Sequence, residues 1–350
     1  MVFCSSHGRA TIRVVTVLLH TPDNTLWKER AADLALATGA TVVPVRRASD
    51  ITHLPPATRQ EAIALITLGC TAEILADLPN LRLVAVPMAG LNTLPLAALR
   101  ERSLQVINAH ANGMWVAERA VALIMGSLGR LVEYDRDLRG GVWHGFAAAE
   151  PPTESWRSLY DTTVAVLGTG SIGQWLARFL TPFGVRCRGF RRQEGRQGIP
   201  EGLFDELSTS LSEVISGADV VVSTLPLTER TRGLLGPREL KEMRGAVLVN
   251  VGRGEVIQEE ALFRSLRDGT LAGAALDTWY HYPDPPGSTQ LPSQFPFHEL
   301  DNVLLSPHLG GYNAAATRAS AQEVTDAVAR WIAEGAPADQ GGTVDLKEGY

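Results

Sequence analysis

Three glycines spaced as Gly-x-Gly-x-x-Gly, at Gly168, Gly170 and Gly173, point most directly to chemistry. The apolar run at residues 164–167 precedes them and predicts a buried parallel strand, and an apolar helical pattern follows. Gly168 permits a tight turn, Gly170 lets a pyrophosphate approach the backbone, and Gly173 lets the helix pack close to the strand. The free N–H groups and positive dipole at the helix start would bind the phosphates. The stretch therefore predicts a dinucleotide site.

Polar side chains also follow several apolar runs, at the points where the predicted strands end. Three such runs between residues 246 and 305 predict strands, and Arg253, Asp277 and His308 lie at or just after their ends. Open α/β sheets bind ligands at the carboxyl ends of their parallel strands. These three side chains are therefore candidates for a ligand site.

Strands and helices alternate along the whole chain, and these elements must position the candidate residues. N-terminal strands are predicted at residues 12–19, 41–45, 62–68, 81–86 and 104–107. A long helix at residues 113–131 leads into the glycine region, and a last helix is predicted at residues 313–334. Such alternation predicts parallel sheets covered on both faces. The expected fold class is α/β, with two doubly wound parallel-sheet domains.

Composition argues against several other classes of protein. At a net charge of −6, nothing favours nucleic acid, whose binding proteins carry basic stripes. Three widely spaced cysteines, Cys4, Cys70 and Cys187, form neither a disulfide framework nor a zinc-ligand pattern, so no metal is expected. The apolar run at residues 14–19 is too short for a signal peptide, and no run reaches the roughly 18 residues of a membrane span. We therefore expect a soluble, cytoplasmic protein without a membrane partner.

Several short motifs occur in an order typical of one enzyme family. They are Val116-Ala117-Glu118, the glycine turn, Leu225-Pro226-Leu227-Thr228, Asn250-Val251-Gly252-Arg253-Gly254, Gly273-Ala274-Ala275-Leu276-Asp277 and Ser306-Pro307-His308. On these motifs the chain resembles the D-isomer-specific 2-hydroxyacid dehydrogenases, from about Ile12 to Glu334. Several independent motifs in one order are far more specific than any single motif.

The resemblance implies two domains, one of them discontinuous. A flavodoxin-like substrate domain would take residues 1–112 and 307–350, and a Rossmann nucleotide domain residues 113–306. Family members are usually homodimers with the active site in the cleft between domains, so a homodimer acting on a small-molecule acid is expected. The implied reaction is hydride transfer between a nicotinamide dinucleotide and a 2-keto or 2-hydroxy acid.

By the same resemblance, Arg253 and His308 occupy catalytic positions. Arg253 presents a planar fork that can bind a carboxylate and a carbonyl oxygen, and the family uses this position to orient the substrate. His308 can carry a proton near neutral pH, as a general acid for the carbonyl oxygen requires. The structural alternatives are a surface arginine in a turn and a histidine that is merely hydrogen-bonded.

The third catalytic position departs from the family. Typical members have a Glu five residues after the Asp that ends this strand, and it pairs with the catalytic His, whereas this chain has Tyr282. A carboxylate would raise the imidazolium pKa, but a tyrosine can only hydrogen-bond. We therefore expect a lower pKa for His308 than in typical members, and keto-acid reduction that falls off at a lower pH. Asp284 and the more distant Glu299 are alternative partners, and the bulky residues around Tyr282 either shape the pocket or simply pack.

The end of the second predicted strand of the nucleotide domain indicates the cofactor. NAD-preferring sites place an Asp or Glu about 20 residues after the glycines, where it binds the ribose 2′-hydroxyl. Here Arg191 and Arg192 stand near that distance, and the first acid is Glu194. Two guanidinium groups suit a 2′-phosphate, so NADP is predicted, with NAD as the alternative. The structural alternative is two arginines on a solvated loop.

The remaining site residues follow from the resemblance. Backbone N–H groups near Gly69, Ala89 and Gly90 are expected to hold the substrate carboxylate, together with Arg253 and His308. Contacts to the dinucleotide are expected from Gly168, Gly170, Ser171, Ile172, Gly173, Arg191, Arg192, Leu225, Pro226, Thr228, Val251, Arg253, Asp277 and Gly310.

Two other functions fit the same sequence. One is a dehydrogenase for an unusual acid such as a phosphonate or phosphite, since relatives handle these and Tyr282 is atypical. The other is a dinucleotide-sensing regulator that binds partner proteins, as corepressors of the family do. Retention of both Arg253 and His308 favours the enzyme.

Overall fold

The structure, a computed structural model, describes residues 15–22, 24–144, 155–193, 198–284, 287–335 and 344. Cys4, Glu194 and the first residues of the expected strand at 12–19 lie outside the described residues. The chain divides into two compact units, which we call unit 1 (Met1–Asn112 with Ala314–Tyr350) and unit 2 (Gly113–Asn313). Residues 307–313, expected with the substrate domain, group with unit 2.

Unit 1 is built on a five-stranded parallel sheet. Its strands are β1 (Thr16–His20), β2 (Thr41–Val45), β3 (Ala62–Thr67), β4 (Leu83–Val86) and β5 (Gln105–Asn108). The helices between them are α1 (Thr25–Thr38), α2 (Pro56–Glu61), α3 (Ala72–Ala76) and α4 (Leu96–Glu101). The strand order is β2-β1-β3-β4-β5, which is the flavodoxin-like order and confirms the expected fold class of this unit.

Unit 2 is built on a seven-stranded parallel sheet. Its strands are β6 (Thr163–Leu167), β7 (Arg186–Phe190), β8 (Glu206–Ser208), β9 (Val220–Ser223), β10 (Val247–Asn250), β11 (Gly273–Leu276) and β12 (Val303–Leu305). Its helices are α5 (Gly113–Leu128), α6 (Leu131–Arg139), α7 (Ser171–Leu180), α8 (Leu211–Ile215), α9 (Pro237–Glu242) and α10 (Glu259–Arg267). The order β12-β11-β10-β9-β6-β7-β8 reverses direction between β6 and β9. That is the Rossmann arrangement, with its switch point beside the glycine turn.

Both faces of the unit 2 sheet are buried, because its strands carry apolar residues at successive positions. Val164 and Val166 of β6 face one cluster, which contains apolar residues of α5 and α7. Ala165 and Leu167 face the other cluster, which contains apolar residues of α8, α9 and α10. Two helical layers therefore hold the strand ends in fixed positions.

The chain returns to unit 1 with α11 (Ala314–Ala333). Ala321, Val324 and Val328 recur at helical spacing and are fully buried in one cluster with Val17 and Leu19 of β1. The last helix therefore covers one face of the unit 1 sheet. Among the described residues, no helix is long and apolar enough to cross a membrane.

The helix expected at residues 113–131 is α5, which ends at Leu128, and a second helix, α6, begins at Leu131. The Gly129 N–H bonds to the Met125 carbonyl at 2.8 Å, and Arg130 adopts a left-handed backbone with φ of 50°. Left-handed residues commonly end α-helices. Apolar residues stand on both sides of this break, at Leu128 and Leu131, so the apolar pattern could not locate it.

Candidate active site

The glycine turn after β6 has the geometry that a dinucleotide requires. Gly168 has φ of 105°, and a Cβ there would lie 2.7 Å from Thr224 Oγ1. A Cβ on Gly173 would overlap the Gly168 carbonyl oxygen, so α7 lies as close to the turn as a glycine allows. A Cβ on Gly170, at the N-terminal cap of α7, would meet no atom within 4 Å. The turn is closed at Gly168 and Gly173 and open at Gly170, directly before the first residues of α7, Ser171 and Ile172, which fits a pyrophosphate.

The loop after β9 lies against this turn. Thr224 Oγ1 donates to the Gly168 carbonyl at 2.9 Å. Beyond Leu225, Thr231 Oγ1 donates to the Pro226 carbonyl at 2.6 Å and accepts from Thr228 N at 2.8 Å. The residues expected to line the cofactor on both sides of the switch point are therefore held by hydrogen bonds within the protein.

The two arginines expected at the cofactor follow β7 directly. Arg191 donates its backbone N–H to the Ser208 carbonyl at 3.1 Å, which continues the pairing of β7 with β8. Arg191 is half-buried and Arg192 is exposed. Both arginines thus stand at the carboxyl end of β7, the strand that pairs with β6, and the glycine turn follows β6.

A rigid loop carries Arg253 beyond β10. Asn250, which is buried, accepts from Gly252 N at 3.1 Å and donates through Nδ2 to the Arg253 carbonyl at 3.0 Å. A Cβ on Gly254 would overlap the carbonyl of Trp279, so this loop lies directly against the chain after β11. Val251, another expected cofactor residue, is buried at the start of the loop. Arg253 is therefore presented from a backbone fixed on both sides.

His308 lies in a loop that Asp277 holds. Asp277 directly follows β11 and is 1% exposed. Its Oδ1 accepts from Leu309 N at 3.0 Å, and its Oδ2 accepts from Gly310 N at 2.9 Å. A Cβ on Gly310 would lie 2.9 Å from Oδ2, so only glycine leaves the carboxylate this close. His308 itself has φ of 57°, an uncommon backbone for a residue with a side chain.

Two further members of this arrangement are Ser306, a residue of the family motif to which the sequence assigned no role, and Arg119, which sequence reasoning missed. Ser306 Oγ donates to Asp277 Oδ1 and accepts from Arg119 Nη2 at 2.9 Å. Arg119 lies on α5, three residues after Val116 and one before Ala120, which are both buried. A charged residue within the apolar stripe of a helix was the signal available in the sequence.

Tyr282 lies beside His308, at the position where typical family members have a Glu. The ring centroids of Tyr282 and His308 are 5.4 Å apart, and the rings are tilted by 49°. Tyr282 Oη accepts from Trp279 N at 3.0 Å, so the hydroxyl is used within its own loop. Of the alternative partners, Asp284 is exposed. Glu299 is also mostly exposed, and its Oε1 lies 3.8 Å from Nε2 of His298.

The charges around His308 oppose protonation of its ring. Packing around the imidazole lowers the pKa of His308, and the positive charge of Arg253 lowers it further. The Asp277 carboxylate acts in the opposite direction and is the weakest of the three influences. Burial raises the pKa of Tyr282, so its phenol stays neutral at physiological pH. The His308 pKa thus lies below its ordinary value because of burial and Arg253, and a value lower than in family members that carry the Glu stays a prediction.

The residues expected to hold the substrate carboxylate lie in unit 1. Gly69 follows β3, and its N–H donates to Thr67 Oγ1 at 3.0 Å. Ala89 and Gly90 follow β4, where the Ala89 carbonyl accepts from Asn108 Nδ2 at 2.7 Å. Among the described residues, none accepts a hydrogen bond from the backbone N–H of Ala89 or Gly90. Unit 2 thus brings together Arg253, Asp277, Tyr282 and His308, while these turns belong to unit 1.

Comparison with known proteins gives the same assignment over most of the chain. The family model described as D-isomer specific 2-hydroxyacid dehydrogenase, NAD binding domain, matches residues 121–310. A glyoxylate reductase of Korarchaeum cryptofilum is 31% identical over 258 residues, covering 70% of this chain and 71% of that protein. A glyoxylate/hydroxypyruvate reductase B of Erwinia tasmaniensis is 31% identical over 260 residues, with coverage of 73% and 77%. The crystal structure of the TT0316 protein from Thermus thermophilus has a TM-score of 0.69 at 28% identity, covering 94% of this chain and all of that one.

These matches fit the two parallel sheets, the glycine turn and the Arg253 and His308 loops. They support a nicotinamide dinucleotide cofactor and the NAD(P)-dependent reduction of small 2-keto acids. The chain belongs to the D-isomer specific 2-hydroxyacid dehydrogenase family, whose members are NAD(P)-dependent enzymes that act on the CH–OH group.

Proposed function

We propose that this protein is an NADPH-dependent reductase of a small 2-keto acid, with Arg253 orienting the substrate and His308 as the general acid/base. The observation that carries the proposal is that the Arg253 loop packs against the chain after β11, whose Tyr282 ring lies 5.4 Å from His308 at the same edge of a parallel sheet. The glycine turn follows a strand of the same sheet, so it lies at the same edge. A cation, a proton carrier and a dinucleotide turn thus share one side of unit 2.

Arg253 binds the acid. Its guanidinium presents parallel N–H donors that match a carboxylate or an adjacent carbonyl oxygen. Because Asn250 fixes the loop backbone on both sides of Gly252, little entropy is lost when the substrate binds. A lysine would supply the charge but not the fork.

His308 moves the proton. When bound, the nicotinamide supplies a hydride to the carbonyl carbon of the keto acid. His308 donates a proton to the carbonyl oxygen, which becomes the hydroxyl, and takes the proton back in the reverse direction. The same positive charge of Arg253 that holds the acid also favours release of this proton.

The cofactor preference rests on Arg191 and Arg192. Residues 191–193 are Arg, Arg and Gln, so the described end of β7 carries no acid for a ribose 2′-hydroxyl. Two cations favour the 2′-phosphate of NADP. NAD stays the alternative cofactor.

The substrate is a short 2-keto acid such as glyoxylate or hydroxypyruvate. Relatives about 31% identical are named for reduction of these acids. In unit 1, the N–H groups of Ala89 and Gly90 are the donors proposed for the substrate carboxylate. The N–H of Gly69 already donates to Thr67 Oγ1, so Gly69 contributes by shaping the turn after β3.

A second copy of the chain is the proposed partner. None of the residues of α6 is buried, and Leu131, Val132 and Leu138 are at least half exposed. Exposed apolar groups on one helix are typical of interfaces. We assign the enzyme to the cytoplasm, where its buried free thiols, Cys70 and Cys187, stay reduced.

The test follows NADPH and NADH oxidation with glyoxylate, hydroxypyruvate, bulkier 2-keto acids and phosphonate analogues. His308→Ala should lower kcat by about 10²-fold or more, whereas the exposed His298→Ala should leave it unchanged. Turnover that prefers NADPH and is lost in His308→Ala supports the proposal. Tight NADPH binding without turnover of any keto acid would contradict it and favour an unusual acid or a sensor.

A further inference from the structure

Asp277 is the centre of a buried polar cluster that joins three parts of unit 2. Its carboxylate accepts from Leu309 N and Gly310 N, just after His308, and from Ser306 Oγ, just before it. Asp277 and Ser306 are both 1% exposed. One carboxylate therefore accepts hydrogen bonds from residues on both sides of Pro307 and His308.

The loop requires such support because of the backbone of His308. Its φ of 57° lies in the left-handed region, which is unfavourable for a residue with a Cβ. Such a conformation persists only where the surroundings hold it in place. The bonds on either side of His308 supply that restraint, and they determine where the imidazole can point.

Arg119 supplies the counter-charge of this cluster from α5. Its Nη2 donates a hydrogen bond to Ser306 Oγ at 2.9 Å, and the Ser306 hydroxyl donates a hydrogen bond to Asp277 Oδ1. The guanidinium is partly buried, and its Nε has no hydrogen-bond partner among the described residues. Two charge-assisted hydrogen bonds therefore connect Arg119 to Asp277 through Ser306.

We propose that Arg119 and Ser306 are positioning residues for His308, acting through the Asp277 carboxylate that holds the left-handed loop. The inference rests on the proposed role of His308 in proton transfer. Arg119 touches neither the imidazole nor, on this proposal, the substrate. It keeps the Asp277 carboxylate aligned and partly neutralises it.

The charges that face His308 set the sign of the expected effect. Arg253 from the loop after β10 lowers the His308 pKa, and Asp277 at the end of β11 raises it. Tyr282, from the loop after β11, is neutral at physiological pH. Without the positive charge of Arg119, the negative charge of Asp277 acts more strongly on His308. The protonated imidazole is then favoured, and the His308 pKa rises.

The experiment compares Arg119→Met, Arg119→Lys and Ser306→Ala with wild type in the full-length enzyme. The His308 pKa is measured by NMR titration of its ring protons without cofactor, and the pH dependence of kcat is measured with NADPH. Arg119→Met should raise the His308 pKa by about half a unit and lower kcat about tenfold. Arg119→Lys should leave the His308 pKa close to its wild-type value, because lysine keeps the positive charge. Ser306→Ala should lower kcat with a smaller pKa change, because it removes the bridge but no charge.

Arg238→Met is the matched control, since Arg238 is a highly exposed arginine on α9. It should change neither quantity. A lower melting temperature of Arg119→Met with an unchanged His308 pKa and unchanged kcat would mean a purely structural role and overturn the inference. If the NMR shift occurs but wild type reduces no keto acid, the proposed function fails while the coupling of Arg119 to His308 stands.

Discussion

The aromatic ring of Tyr282 lies 5.4 Å from the imidazole of His308, centroid to centroid, at a tilt of 49°. Its hydroxyl accepts from Trp279 N, so the phenol oxygen is held within its own loop. Tyr282 therefore gives His308 a packing neighbour without the negative charge of a carboxylate. Tyr282 therefore does not raise the His308 pKa as a carboxylate would, and Asp277 is the carboxylate that favours the protonated ring.

The pH dependence of wild type should reflect this environment. Reduction requires protonated His308, so its rate falls as pH rises through the His308 pKa, which lies below the ordinary value of 6.5. Oxidation requires the neutral ring and rises over the same interval. The measurement is kcat/KM in both directions between about pH 4.5 and 9, on either side of the ordinary histidine pKa. A reduction rate that is flat well above about pH 8 would contradict the expectation.

Substitution of Tyr282 by Glu should move this transition. A carboxylate beside the imidazole favours its charged form, so the fall in reduction should shift upward by about one pH unit. Tyr282→Phe is the matched control, since it keeps the ring and adds no charge. Its pH profile should coincide with that of wild type. Identical profiles for Tyr282→Glu and Tyr282→Phe would show that this position does not act on His308.

Two glycines of the turn should respond differently to a methyl group. Gly170→Ala places its Cβ in open space, so the melting temperature of the cofactor-free protein should stay unchanged. The same methyl group blocks the proposed pyrophosphate position, and NADPH affinity should fall about tenfold or more. Gly173→Ala overlaps the Gly168 carbonyl and should lower the free energy of unfolding by about 1–3 kcal/mol.

Calorimetry without cofactor and NADPH titration by fluorescence separate these effects. If Gly170→Ala binds NADPH with wild-type affinity, the pyrophosphate does not lie at this helix start.

Cofactor choice should depend on Arg191 and Arg192. Arg191→Ala and Arg192→Ala should each weaken NADPH binding about tenfold, because each removes a charge-assisted contact to the 2′-phosphate. NADH binding should be nearly unchanged, since NADH has no such phosphate. Arg186→Ala is the control, since Arg186 lies on β7, the strand that precedes these arginines, and pairs with Glu206. Equal losses for NADPH and NADH would argue against recognition of the 2′-phosphate.

Assembly should depend on the exposed leucines of α6. Leu131 and Leu138 are seven residues apart and share a helix face, so Leu131→Glu with Leu138→Glu should place charge in the proposed interface. Sedimentation should show a dimer for wild type and a monomer for the double variant. Leu36→Glu, at an 89% exposed leucine of α1, should leave the dimer intact. A monomeric wild type would refute the proposed homodimer directly.

The sequence alone determined the features that depend on local pattern. Apolar runs bounded by turn residues identified β2 to the residue, and most other strands to within two or three. The glycine spacing identified the turn at the start of α7, because strand, glycine and helix propensities all act over a few residues. The motif order identified the family, and from it the two parallel sheets.

The tertiary structure decided the relationships between residues distant in the chain. The contact of Arg119 with Ser306 spans 187 residues, and the bonds of Asp277 to the His308 loop span about 30. Periodicity predicts which face of a helix is buried, but it does not indicate which strand end that face will meet. That depends on the order of strands in the sheet. Only the folded unit 2 places the cation of α5 beside the carboxylate that holds His308.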